Sequence, residues 1–266
     1  MKSKIDINFE INNIINDIKK YFASNGLSSK AVIGISGGKD STIAAALLVR
    51  ALGKDRVIGV MMPESVQTDI DDSRKVCEIL GIKSFEIDIG PACEKLYKNF
   101  QDCTFGELMV NPQIRTNTPA RIRMATLYMV ASSVGGRVIN TGNASELYVG
   151  YTTKYGDLAG DYAIFKYYYV REVLAIGDAL EELPYKLVHK APSDGMSGKT
   201  DEDNLGFTYE QVDALLLDEV YPDFETYTAI TNRHNRNTHK QAICLPSPRP
   251  NRNYGNEDEQ PWDFEF

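Results

Sequence analysis

Ala31-Val32-Ile33-Gly34-Ile35-Ser36-Gly37-Gly38-Lys39-Asp40-Ser41-Thr42 is the stretch that decides the fold. Its first five residues form a short continuous apolar run, the pattern of a strand buried on both faces. From Ser41 to Leu52 the spacing turns helical, with Ile43, Ala44, Leu47 and Leu48 on one face and Gly53 as the stop. The glycine-rich turn between them leads to a helix N-terminus, where unpaired N–H groups and the helix dipole favour an anion. Gly37 and Gly38 allow the backbone to approach phosphate oxygens and to take turn angles that side chains forbid. Ser36 and Ser41 add hydroxyl donors. Asp40 would repel a phosphate directly, and makes chemical sense if a divalent cation lies between them. The loop is not a Walker motif, because Asp40 follows Lys39 where a hydroxyl residue is required, and its glycine spacing is not that of a dinucleotide fingerprint.

The flanking sequence repeats the alternation. Ile5 to Phe22 reads as an amphipathic helix, with Ile7, Ile11, Ile14, Ile15 and Ile18 at helical spacing. Val57 to Met62 is a second apolar strand, Asp69 to Leu80 a helix, and Ser84 to Ile89 a third strand. Arg115 to Ser133 is a longer helix and Arg137 to Thr141 a fourth core strand. Gly142 to Asp161, rich in Gly, Tyr and Thr, reads as a functional loop. Helices follow at Tyr168 to Leu180, Thr208 to Leu217 and Tyr221 to Arg236, and the proline- and carboxylate-rich segment 246–266 reads as irregular. The reading is a single α/β domain spanning 1–266, an open, mainly parallel sheet with helices on both faces in a Rossmann-like three-layer arrangement.

Composition limits the function. A net charge of −8 argues against a nucleic-acid surface, which needs clustered cations. Every apolar run is too short for a membrane span, and the N-terminus has no signal-peptide core, so a cytoplasmic protein is expected. Cys77, Cys93, Cys103 and Cys244 lack paired metal spacing, and Cys77 reads as a small core hydrophobe.

Ser-Gly-Gly-x-Asp-Ser after an apolar strand resembles the phosphate loop of the N-type ATP pyrophosphatases, which share the adenine nucleotide alpha hydrolase-like fold, cleave ATP between the α and β phosphates and activate a substrate as its adenylate. Further segments resemble the NAD synthetases within that superfamily. These are Met61-Met62-Pro63 with Gln67-Thr68-Asp69, Ala120-Arg121-Ile122-Arg123-Met124, and Thr141-Gly142-Asn143-Ala144-Ser145-Glu146. Gly150-Tyr151-Thr152-Thr153-Lys154-Tyr155-Gly156-Asp157, Lys190-Ala191-Pro192-Ser193-Asp194, Thr200 to Gly206 and His239-Lys240 extend the likeness almost to residue 245.

Carried over by position, the resemblance implies that Gly34, Ile35, Ser36, Gly37, Gly38, Lys39, Asp40 and Ser41 hold ATP phosphates, with Thr141 and Ser193 as further ATP contacts. It implies Mg²⁺ on Asp40 and Glu146, and contacts from Arg121, Lys154, Asp161, His239 and Lys240 to deamido-NAD. It also implies a homodimer, in which Ile122 to Val134 is a candidate interface helix and equally a core helix. A lysine that the family often carries about nine residues after Asp161 is replaced here by Val170, with Lys166 and Arg171 the nearby cations. Asp157 and Asp161 are candidates, by position, for accepting a proton from the amine. The loop starts at residue 34 and little follows His239, which leaves no room for a glutaminase in this chain, so free ammonia, or ammonia handed over by a partner, is the expected nitrogen donor. The loop alone is also compatible with another amide-forming or sulfur-transferring enzyme of the superfamily, or with a nucleotide-binding module that does no chemistry.

Overall fold

The computed structural model describes residues 5–65, 70–190, 200–217 and 219–240. The apolar runs form the strands β1 (Lys30–Gly34), β2 (Val57–Met61), β3 (Lys83–Glu86), β4 (Gly136–Asn140) and the short β5 (Tyr162–Ala163). They join in one all-parallel sheet in the order β3-β2-β1-β4-β5. Val32 of β1 sits opposite Ile58 on one side and Val138 on the other. Parallel strands need crossovers, and the helices that supply them cover both faces.

On one face lie α1 (Ile7–Asn25), α2 (Lys39–Leu52), α3 (Ile70–Leu80), α7 (Val170–Asp178) and α8 (Tyr185–Val188). Their core is built on Ile14, Ile18, Phe22, Ile43, Leu47 and Leu48, with Cys77 in it as expected. The other face is covered by α4 (Gly90–Cys103) and α5 (Pro112–Val134), which bury Val32, Val60, Val138, Cys93 and Tyr97. A third apolar cluster lies among α6 (Ala144–Val149), α9 (Asp201–Leu205), α10 (Tyr209–Leu216), α11 (Phe224–Asn237) and the start of α7.

Several elements differ from the sequence expectation, which lacks the short β5, α8 and α9 and starts α11 at Tyr221 in place of Phe224. Helix α4 is absent from it because Gly90-Pro91 opens a stretch dominated by charged and polar residues, of which only Gly90, Cys93 and Tyr97 are buried. Helix α5 begins three residues earlier than read, at Pro112, capped by the Asn111 side chain. Strand β3 ends at Glu86, short of Ile89, and is largely exposed at the sheet edge. The expected loop 142–161 contains α6, opened by a capping box between Asn143 and Glu146 and closed by Gly150 in the left-handed region. The segment 246–266 lies outside the described residues. No helix among the described residues is long and apolar enough to cross a membrane.

At Gly136 an added Cβ would come within 2.7 Å of Val32 Cγ2 and 3.0 Å of the Lys30 carbonyl oxygen on the neighbouring strand. Backbone cannot yield as a flexible side chain does, so Gly136→Ala is expected to cost about 1–3 kcal/mol of stability. Urea unfolding checks this, and a loss no larger than experimental error would show that β1 and β4 separate freely.

Candidate functional site

The strand order places the crossover reversal between β1 and β4, and a ligand crevice opens beyond the carboxyl ends of strands at such a point. The turn from β1 to α2 and the turn from β4 to α6 face each other there. Between them is a cavity of about 410 Å³, lined by Ser36, Gly38, Lys39, Asp40 and Ser41 from one side and Thr141, Gly142 and Glu146 from the other. Asp157, Asp201 and Lys240 line it further out.

The turn after β1 is shaped by its own side chains. Gly37 has φ +79°, in the region that disfavours a Cβ, whereas Gly38 is extended and serves as the N-cap of α2. The Ser36 hydroxyl accepts from the Gly38 amide at 3.2 Å and lies 3.2 Å from the Ser41 hydroxyl, which in turn donates to the Gly38 carbonyl. The amides of Lys39, Asp40 and Ser41, in the first turn of α2, have no intrahelical acceptor and are available to an anion.

Asp40 and Glu146 come together across the crevice. Asn143, fully buried, joins them: its Oδ1 accepts from the Glu146 amide at 3.0 Å while its Nδ2 donates to Asp40 Oδ1 at 3.2 Å. Glu146 Oε2 accepts in return from the Asn143 amide at 3.2 Å. The carboxylate therefore both caps a helix and lines the cavity. Crowding by protein penalises its charge, and the neighbouring Asp40 adds to the penalty, so its carboxyl is pushed up to about 8 in the ligand-free protein. Lys39 is 4% exposed, and its ammonium donates to Asp40 Oδ2 at 2.7 Å. Burial alone would lower its proton affinity, but Asp40, Glu146 and Asp201 together raise it.

Behind Glu146 the Ser145 hydroxyl donates to Asp213 Oδ1 at 2.5 Å and accepts from the Val170 amide at 3.1 Å. Asp213 Oδ2 also accepts from the Arg171 amide, and burial pushes this carboxyl up to about 6 against those bonds. Val170 itself packs in the third apolar cluster. Neither nearby cation takes up the missing lysine's place at the cavity. Arg171 pairs with Glu219 at 2.6 Å, and the buried Lys166 places its ammonium over the Tyr167 ring.

The residues expected to contact the second substrate divide into two groups. Lys240 lines the cavity and donates to the Gly150 and Thr152 carbonyls at 2.9 Å each. Lys154 donates to the His239 carbonyl at 2.6 Å, and Arg121 donates to the Lys154 carbonyl at 3.3 Å, which places these three around one loop at the cavity rim. Asp161 stands apart. Its Oδ2 accepts from the Val138 amide at 2.7 Å and its Oδ1 from the Tyr128 hydroxyl at 3.3 Å, beneath the sheet edge and away from the cavity lining. Ser193 lies outside the described residues.

Asp157 is the carboxylate that does open into the cavity. Water reaches it, but protein surrounds it closely, and this crowding pushes it up to about 6 against the Thr153 amide bond and the Lys240 charge. Asn143, Asp201 and Arg123 were not singled out as site residues from sequence, although each falls in a quoted segment. The spacing Asn143-x-x-Glu146 was the available signal for the first.

A divalent cation in this crevice would meet two carboxylates, Asp40 and Glu146. Among the described residues no three His, Cys, Asp or Glu side chains gather closely enough to hold one alone. Asp40 and Glu146 nonetheless offer the two hard oxygen donors that suit Mg²⁺ when it arrives with phosphates, which complete its shell. Tyr209 gives a second indication. It is 2% exposed, its hydroxyl has no hydrogen-bond partner among the described residues, and it lies in the field of Glu146, Asp201 and Asp40. The residues fit the cation.

Fold and site together define an α/β protein with a glycine-rich turn and two carboxylates, Asp40 and Glu146, facing one crevice at the switch point of its parallel sheet. A profile of the family described as NAD synthase matches residues 10–244. The NH(3)-dependent NAD(+) synthetase of Pyrococcus furiosus is 37% identical over 211 residues, 79% of this chain and 78% of that protein. The solved structure of NMN synthetase from Francisella tularensis superposes with a TM-score of 0.82 at 32% identity, over 90% of this chain and 98% of that one. The NH3-dependent NAD synthetase from Campylobacter jejuni, solved with a nitrate ion, gives 0.71 at 28% identity over the same shares. The chain belongs to the NAD synthase family.

Asn143→Ala removes both the cap of α6 and the bond to Asp40. Loss of the cap is expected to cost about 0.5–2 kcal/mol. If Asn143 also aligns the carboxylates, nucleotide affinity in the presence of Mg²⁺ falls further than stability alone explains. Calorimetry at a temperature where the variant is fully folded separates the two effects.

Proposed function

We propose that this protein is an ammonia-dependent NAD synthetase that amidates deamido-NAD at the expense of ATP and Mg²⁺, giving NAD, AMP and pyrophosphate. The observation that carries the reading is the pairing of Asp40 and Glu146 across a phosphate turn at the sheet switch point. Family membership gives the reaction its class.

The turn amides and Ser36, Ser41 and Thr141 hold the triphosphate, while Asp40 and Glu146 hold Mg²⁺, which neutralises phosphate charge. Arg121, Lys154, His239 and Lys240 take the acid substrate at the rim and present its nicotinate carboxylate in line with the α-phosphorus. Attack releases pyrophosphate and leaves an acyl-adenylate, a step that needs positioning more than a protein nucleophile. Ammonia then displaces AMP from the acyl carbon. Asp157 accepts the proton that the attacking amine loses, a role its place in the cavity supports over Asp161. Ser193 and Asp161 stay in the proposal as ATP and substrate contacts by family likeness alone.

Two subunits form the working enzyme in this reading. Helix α5, which packs on β1 and β4 along one side and leaves Met129 69% exposed on another, is the surface offered for pairing. A cytoplasmic location belongs to the same proposal.

A second reading concerns the acid substrate. The likeness to an NMN synthetase, at the higher TM-score of the two structures compared, favours nicotinic acid mononucleotide in place of the dinucleotide.

Purified protein with ATP, Mg²⁺ and ammonium, offered each acid in turn, decides between them. Equal yields of NAD and AMP support the main reading, and turnover of the mononucleotide alone supports the second. Asp40→Ala is expected to lower either rate by at least about 100-fold. ATP binding with no AMP from any acid would reduce the protein to a nucleotide-binding module.

The raised carboxyl of Asp157 gives a pH signature. It accepts a proton only when ionised, so kcat/KM expressed per free ammonia rises with pH and levels off above about 6. Asp157→Asn abolishes that limb and lowers the plateau by about 100-fold. A limb that persists in the variant assigns the proton transfer elsewhere.

A further inference from the structure

Lys39 occupies a position that ordinary helix electrostatics opposes. It is the first residue of α2, where the helix dipole presents its positive end, and a cation there is disfavoured. It is also buried, and an ammonium withdrawn from water is costly unless paired. What holds it is the carboxylate group around it: Asp40 at 2.7 Å, with the Glu146 and Asp201 carboxyls close by.

Both oxygens of Asp40 are therefore occupied. Oδ2 accepts from Lys39 and Oδ1 accepts from Asn143. A cation that binds Asp40 would sit beside an ammonium already paired with Oδ2, and like charges that close repel. Asn143 is fixed at the cap of α6 by its bond to the Glu146 amide, whereas Lys39 ends in a flexible four-carbon stem. The donor free to move is the ammonium, and its retreat from Asp40 is favoured when another anion receives it. A triphosphate laid along the turn provides that anion.

We infer that Lys39 is a tethered counter-ion standing in for the divalent cation at Asp40, so that the metal enters with the nucleotide and not ahead of it. The inference rests on the metal role proposed for Asp40 and Glu146, and gives Lys39 a positioning function distinct from simple phosphate binding. It also accounts for a site whose carboxylates do not amount to a stand-alone metal cluster among the described residues. Metal and nucleotide become coupled ligands, each raising the other's affinity by the same factor.

Mn²⁺ binding, read by loss of the free-ion electron paramagnetic resonance signal, tests this without turnover. Wild type, Lys39→Gln, Lys39→Met and Lys39→Arg are titrated alone and with α,β-methylene ATP, which is not cleaved at the α–β bridge. The neutral variants are expected to bind Mn²⁺ without nucleotide at least about tenfold more tightly than wild type, and to lose metal–nucleotide coupling by the same factor. Lys39→Arg is expected to behave as wild type. Unchanged or weaker nucleotide-free binding in folded neutral variants overturns the role of Lys39 and leaves the metal reading intact. Failure of wild type to bind Mn²⁺ even with α,β-methylene ATP overturns both. Should the neutral variants not fold, wild type decides: nucleotide-free Mn²⁺ affinity equal to that with nucleotide, corrected for the nucleotide's own chelation, overturns the inference. A gap of about tenfold or more supports it.

Discussion

Parallel pairing of β1 with β4 is the constraint on which the rest of this molecule depends. The strands are separated in sequence by the whole of α2, β2, α3, β3, α4 and α5, yet they are neighbours in the sheet. Crossovers run one way from β1 through β2 to β3 and the other way from β4 to β5, so the loops leaving β1 and β4 diverge and leave a crevice. Asp40 is carried by the first loop and helix and Glu146 by the second. Their meeting is thus a consequence of strand order, and the close approach at Gly136 that lets β4 lie against β1 is part of the same requirement.

Strand order brings the carboxylates near, but two like charges in a crowded crevice repel, and something must hold them. The structure uses two donors of different kinds. Asn143 is a fixed neutral bridge, buried and bound to both partners. Lys39 is a charged one, on a flexible stem. Crowding by protein and the neighbouring Asp40 raise the Glu146 carboxyl toward its neutral form. A pocket in this condition is short of positive charge, which suits a cation that arrives already bound to phosphate.

Much of this was legible in sequence. The run Ala31 to Ile35 and the turn to Ser41 specified a strand, a glycine-rich turn and a helix, because burial on both faces and helix N-terminal chemistry leave clear local patterns. Elements with few buried residues or very short length are less legible. Helix α4 buries few residues and α6 is one capped turn, so each depends on tertiary contacts more than on its own spacing. For the site, the turn after β1 is where position implied it. Asp161 is not at the cavity, since its neighbours on β4 and α5 claim its oxygens, a pairing between segments that no local pattern encodes. Asn143 was masked for the opposite reason: it reads as an ordinary helix cap, and only the strand order turns its free amide toward Asp40.

The third apolar cluster then has a function beyond filling space. Helix α6 is too short to hold Glu146 steady by its own hydrogen bonds. Its outer side is tied down through Ser145 to Asp213 on α10 and to the first amide of α7, while Val149 is buried among Tyr209, Val212 and Ile230. Val170 lies at that junction. A long cation there would have to leave the cluster or be buried in it, so its apolar side chain is consistent with rigid support for the carboxylate that faces the cavity. Positive charge at the β1–α2 turn comes instead from Lys39, which pairs with Asp40 and lies close to the Glu146 carboxyl that the cluster holds in place from behind.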